Sequence, residues 1–255
     1  MTASELVLAR VAEGVGTITL NHPEKYNALS SAMINALSSA LADLNEDVAA
    51  RVIVIDAKGK AFCAGHDLKE MAAIEDQAGH KALFDQCGAM MMAITQGTKP
   101  VIASVQGVAT AAGCQLVAAC DLAVASSEAR FATSGINVGL FCSTPAVALS
   151  RNVARKRALE LLFTGDFITA DIACEWGLVN KVVLPEALQV ATLELAAKIA
   201  SKSAESIQLG KTMFYQQLGM SLDAAYDFAG ERMACNMHLE DAQAGIDAFI
   251  NKRRH

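Results

Sequence analysis

Between Pro100 and Asp121 the chain runs twenty residues without a charge, VIASVQGVATAAGCQLVAAC over 101–120. That length matches a membrane-crossing helix, which needs about 20 apolar residues. The composition argues against one: Gln106, Gln115, two glycines and a set of alanines leave the stretch only weakly hydrophobic. It also divides naturally. Val101–Val105, after Pro100, is a β-branched apolar run that suits a buried strand. Gly107–Gly113 reads as a small-residue turn, and Cys114–Cys120 as a short buried helix. A strand, a tight turn and a helix N-terminus together present backbone N–H groups to something negative. Gln115 is the one side-chain amide in that helix, and it demands an explanation.

Elsewhere the sequence indicates one large domain, or a domain with an appendage, and no membrane span. There are 255 residues, 53% of them apolar, enough for a sizeable core. The net charge of −6 argues against a nucleic-acid partner, and the terminal Lys252-Arg253-Arg254 is only a short basic cluster. Seven cysteines, an odd number, stand at 63, 87, 114, 120, 142, 174 and 235 with no CxxC pair. That usage suits buried thiols in a reducing compartment rather than a disulfide framework or a metal site. Glu5 and Arg10 interrupt any apolar leader. No signal peptide is therefore expected, and the location is read as cytoplasmic, or the mitochondrial matrix in a eukaryotic cell, with no transit peptide visible.

The hydrophobic pattern predicts strands at 5–11 and 15–20 around Glu13-Gly14, then a helix capped by Ser30 with Met33, Ile34, Leu37, Leu41 and Leu44 on one face. A strand at 52–56, a helix at 80–96, and strands at 122–125 and 130–132 follow. Past Pro145 helices dominate, at 154–163, 169–176, 186–201, 203–218, 221–236 and 239–251, with a short strand at 178–182. The pattern is α/β over residues 1–195 and helical over 196–255. Familiar motifs are absent or incomplete. Gly210-Lys211-Thr212 ends like a phosphate loop, but position 205 is Glu and the segment reads as helix surface. No GxSxG is present.

Two segments carry the chemistry. KAFCAGHDLKEM (60–71) precedes VQGVATAAGCQLVAACDLAVA (105–125), and the pair resembles the crotonase superfamily, the enoyl-CoA hydratase/isomerase fold. NHPEKYNALS (21–30), ARFATSGINVGL (129–140), LFTGDFITADIACEWGLVNKVV (162–183) and GIDAFINKRR (245–254) extend the likeness in order over nearly the whole chain. The resemblance implies a crotonase (ClpP-like) spiral of ββα units with a C-terminal helical trimerisation region. It implies a homotrimer, or a hexamer made of two trimers. It also implies an acyl-CoA thioester ligand, with coenzyme A as part of the substrate, and neither a permanently bound cofactor nor a metal. By motif position, the backbone N–H groups of His66 and Ala112 would form an oxyanion hole. Lys25, Lys69 and Lys252 would lie near the nucleotide and phosphates of CoA, each with a solvated surface lysine as the plain alternative. Ala28, Ala64, Asp67 and Leu68 would line the CoA thioester site, with Asp67 bonding local backbone.

The physics of enolate chemistry supports the oxyanion assignment. Negative charge collects on the thioester oxygen, where two fixed N–H donors, one at a helix N-terminus, stabilise it in a dry site. The resemblance also exposes a departure. A hydratase of this family holds water between two glutamates. At those positions this sequence has Gln115 and Gly135. An amide does not titrate near neutral pH, and glycine offers no side chain. Three readings stay open: an acyl-CoA enzyme with weak or altered chemistry (hydratase, isomerase, decarboxylase or hydrolase), a non-catalytic acyl-CoA binder, and a structural trimer.

Overall fold

In the computed structural model the described residues are 6–252, without the side chain of Lys252. Residues 5, 253 and 254, named in the sequence reading, lie outside this range. Strands β1 (Val7–Ala12) and β2 (Val15–Leu20) form a hairpin over Glu13 and Gly14, both at positive φ. Helix α1 (Ser31–Glu46) begins where the Ser30 hydroxyl accepts from the Met33 N–H, and it buries the five expected apolar residues. Three strand–strand–helix units follow. The first is β3 (Val52–Ala57) and β4 (Ala61–Cys63), then α2 (Leu68–Ala73) and α3 (Gln77–Gln96). The second is β5 (Val101–Val105), β6 (Val108–Thr110) and α4 (Ala112–Ala119). The third is β7 (Leu122–Ser126) and β8 (Arg130–Ala132), then α5 (Ser143–Asn152) and α6 (Arg155–Thr164). The chain continues through β9 (Ile168–Thr169), α7 (Ala170–Glu175), β10 (Lys181–Val183) and α8 (Leu188–Ala200). It ends in α9 (Ala204–Gln217), α10 (Leu222–Met237) and α11 (Glu240–Lys252).

In each unit the first strand joins a six-stranded sheet, ordered β1-β2-β3-β5-β7-β10, and the second joins a four-stranded sheet, ordered β4-β6-β8-β9. All neighbours in the large sheet are parallel except β1 with β2. In the small sheet only β8 with β9 is antiparallel. This is the ββα spiral that the resemblance implies. Strand β3 shows why its sequence is continuously apolar. Ile53 and Ile55 face the main core, while Val52 and Val54 face a second cluster formed with Leu188, Ala191 and Ala196 of α8.

Several elements depart from expectation. The turn expected over 107–113 contains β6, whose Ala109 pairs with Phe131, and α4 starts at Ala112 rather than Cys114. Helices α2 and α5 were not foreseen, and the strand expected at 178–182 is β10 at 181–183. Leu178 and Val179 instead pack into the core beside α7, where the N–H groups of both donate to the Ala173 carbonyl. Lys211 is not helix surface. Its side chain is 6% exposed, and Nζ donates to the Ile94 and Lys99 carbonyls and to Asp121 Oδ2, each at 2.7 Å. The Tyr215 hydroxyl donates to Asp121 Oδ1 at 2.8 Å. Asp121 is thus committed to anchoring α9 on the ends of β5 and β7. Among the described residues, no helix is long and apolar enough to cross a membrane.

Candidate active site

The loop from residue 21 to 30 is built on a buried amide. Asn27, at φ 53°, donates from Nδ2 to the Lys58 and Ala61 carbonyls, both at 2.9 Å, and its Oδ1 accepts from the His22 N–H at 2.8 Å. Asn tolerates this left-handed backbone better than most residues. The loop in turn clips residues 64–67 in place. The Ala64 N–H donates to the Tyr26 carbonyl, the Leu29 N–H to the Gly65 carbonyl at 2.7 Å, and the Asp67 N–H to the Leu29 carbonyl. Asp67 then caps α2, accepting from the Lys69 and Glu70 N–H groups. Burial raises the Asp67 carboxyl. These two donors and Lys25, 3.6 Å away, outweigh it and hold the group below the usual carboxylate range.

Small residues let the second segment meet the first. A Cβ on Gly65, which sits at φ +89°, would lie 2.8 Å from Ala111 Cβ and 3.1 Å from Ala112 N. Ala111 itself adopts φ 50° and ψ −121°, a sparsely populated conformation for a residue with a side chain. It turns the chain from β6 into α4. Its own N–H is bound by the Ala132 carbonyl. The next N–H, of Ala112, is the first of the helix. Among the described residues, neither that group nor the His66 N–H donates to a protein oxygen.

Both residues line one cavity of about 330 Å³. Its walls are largely apolar: Leu68 and Met71 of α2, Phe84 of α3, and Val138, Leu140 and Phe141 from the loop before α5. Among the described residues, the lining contains no carboxylate, lysine or arginine. Its titratable groups are the His66 imidazole, which desolvation pushes to a lower pKa, and the Cys142 thiol, which desolvation pushes up. Ser134 also lines it and shares a 2.7 Å hydrogen bond with Thr110.

The sequence candidates separate into groups. Ala64, His66, Leu68, Ala112 and Gly135 come together on the cavity wall. Lys25 and Asp67 form an ion pair close by, and Ala28 lies in the clipping loop, donating to the Lys25 carbonyl. Lys69 is exposed on α2. Gln115 is not part of the cavity lining. It is buried at 4% exposure one turn into α4, and its Oε1 has no hydrogen-bond partner. Gly135 faces the cavity, but a Cβ there would stand 2.6 Å from the Leu140 carbonyl oxygen and 2.9 Å from Cys142 Sγ. Phe84 and Met71 escaped the sequence reading as site residues, because a buried or half-buried apolar side chain on a helix looks the same in a core and in a pocket wall.

The geometry has close counterparts. The family model for enoyl-CoA hydratase/isomerase matches residues 10–255. Enoyl-CoA hydratase domain-containing protein 3, mitochondrial, of Rattus norvegicus is 49% identical over 249 residues, covering 98% of this chain and 83% of its own. The crystal structure of an enoyl-CoA hydratase from Mycobacterium smegmatis aligns with a TM-score of 0.95 at 53% identity, over 97% of this chain and 96% of that one. The human enoyl-CoA hydratase domain-containing protein 3 aligns with a TM-score of 0.94 at 48% identity, over 97% and 98%. This chain belongs to the enoyl-CoA hydratase/isomerase family of the crotonase superfamily.

Proposed function

We propose that the cavity binds acyl-CoA thioesters and polarises the carbonyl between the N–H groups of His66 and Ala112, without efficient hydration of enoyl-CoA. The observation that carries this is a pair of unengaged backbone donors at an apolar cavity whose lining has no carboxylate. Fixed donors in a water-poor site stabilise an enolate oxygen strongly, because they need no reorganisation as charge develops. Hydration also needs an acid and a base to handle the water. Gln115 is buried behind the lining and cannot titrate, and Gly135 has no room for a side chain. Lys25, exposed beside Asp67, and Lys69, exposed on α2, would meet CoA phosphates in this reading. Calorimetric titration with acyl-CoAs of several lengths tests the reading. Saturable heat is expected, and its absence up to millimolar concentration contradicts it.

The protein works as a trimer or a pair of trimers in this account. Apart from the Lys211 side chain, α9 and α10 bury no residue within the chain, and Leu222, Tyr226 and Met233 are 75%, 73% and 72% exposed. Apolar surface on that scale calls for a partner copy. A monomer mass in light scattering at micromolar concentration would refute the assembly. Seven free thiols suit a reducing compartment such as the cytoplasm or mitochondrial matrix.

A further inference from the structure

Both ring nitrogens of His66 are buried, and neither closes a hydrogen bond. Other imidazoles of the chain are engaged. His22 meets Glu24 at 3.2 Å, and His80 spans the Asp76 and Met71 carbonyls at 2.9 and 3.1 Å. Buried polar atoms are ordinarily paired, so an unpaired set marks strain or a role toward a ligand. The His66 ring stands edge-on to Phe84, with centroids 5.5 Å apart and planes at 69°, and both residues line the cavity. Turning the ring about its side-chain bonds gives up at most its interaction with the Leu29 main chain. The main-chain N–H of the same residue is one of the two donors assigned to the thioester oxygen. The ring is therefore tethered within a few bonds of that donor, on the wall of the same cavity.

We propose that the His66 imidazole is the base that moves a proton at Cα of a bound thioester. This rests on the acyl-thioester reading and adds the base that reading lacks. The lone pair of the neutral ring takes the Cα proton. The C–H electron pair becomes the C=C bond of an enolate, and the carbonyl π pair moves onto oxygen, between the His66 and Ala112 N–H groups. The reverse step returns a proton to Cα from the ring, which has meanwhile exchanged with solvent. No oxidant or second reactant is needed. Imidazole is a weak base, so the fitting substrates are thioesters whose α-C–H is acidified by an adjoining π system, and Leu68, Met71 and Phe84 offer that system an apolar wall. Desolvation keeps the ring neutral and able to accept, against the opposing pull of the Leu29 carbonyl and Glu70. Cys142, the other titratable group of the lining, stays protonated through burial.

The test follows loss of the α-proton NMR signal of phenylacetyl-CoA in D2O, alongside its affinity by calorimetry. His66→Ala and His66→Gln both keep the main-chain donor and remove the base. The unmodified protein should exchange the proton, and the variants should bind phenylacetyl-CoA but exchange it at least about 100-fold more slowly. The second variant, which keeps the side chain's bulk, guards against a folding defect in the first. Binding without exchange by the unmodified protein, or undiminished exchange in both variants, overturns the role of His66 and leaves the thioester site standing. No binding of phenylacetyl-CoA or butanoyl-CoA by the unmodified protein overturns both.

Discussion

Gly113 packs so closely on Cys63 that a Cβ at position 113 would lie 2.0 Å from the Cys63 carbonyl oxygen. This contact joins the N-terminus of α4 to the end of β4, and so sets the Ala112 N–H beside the segment that carries His66. Gly113→Ala must push the helix and strand apart. Overpacking of this kind costs about 1–3 kcal/mol or more. Thermal unfolding should show the lower stability. Calorimetry should show weakened acyl-CoA binding, because one donor moves.

The sequence made this junction partly legible. Val101–Val105 reads as a strand because a β-branched run buried on both faces has few other solutions. The small residues at 107–113 read as a turn because three-residue strands such as β6 leave no periodicity to detect. Gly65, Ala111 and Gly113 could be recognised as permissive, but not that Gly65 meets Ala111 or that Gly113 meets Cys63. Lys211 was misread for a related reason. Its burial depends on Asp121, ninety positions away in the chain, and nothing in the local sequence of α9 announces it. The His66 ring shows the same limit, since the missing partners that single it out are visible only once the surroundings are assembled.

Lys211 and Asp121 should be interdependent. The side chains are 6% and 15% exposed, and removing one leaves the other charge buried and unpaired. Lys211→Ala is expected to cost about 3–5 kcal/mol in denaturant unfolding. A loss within experimental error would mean that α9 is held by other contacts.

Restoring the two glutamates should not restore a hydratase. Gly135→Glu must displace the Leu140 carbonyl and Cys142 Sγ, and Gln115→Glu puts a carboxylate at a buried site where the amide oxygen already lacks a donor. The double variant should melt below the unmodified protein and gain no hydration activity. Gain of activity with an unchanged melting temperature would show that the 134–142 loop adapts.

His66 gives stability a pH dependence of known sign. Burial lowers its folded pKa below the ordinary imidazole value of 6.5. Below pH 6.5 the unfolded chain therefore binds more protons at this position than the folded one. The folded state is fully favoured above that pH and loses stability as pH falls from 6.5 toward the folded pKa. Melting temperatures measured from pH 7.5 to 5 should fall less steeply for His66→Gln than for the unmodified protein. Parallel curves would mean the imidazole keeps its ordinary pKa.

The most direct measurement for the central claim is steady-state hydration of crotonyl-CoA by the unmodified protein, followed by absorbance loss of the conjugated thioester. General acid and base groups are each worth about 10²–10⁴-fold, and the two are not independent because they serve one water. A cavity with unengaged backbone donors and no carboxylate predicts that crotonyl-CoA binds and its hydration is barely above background. A kcat of tens per second or more, at or above that of a typical enzyme at about 10 per second, would contradict the account.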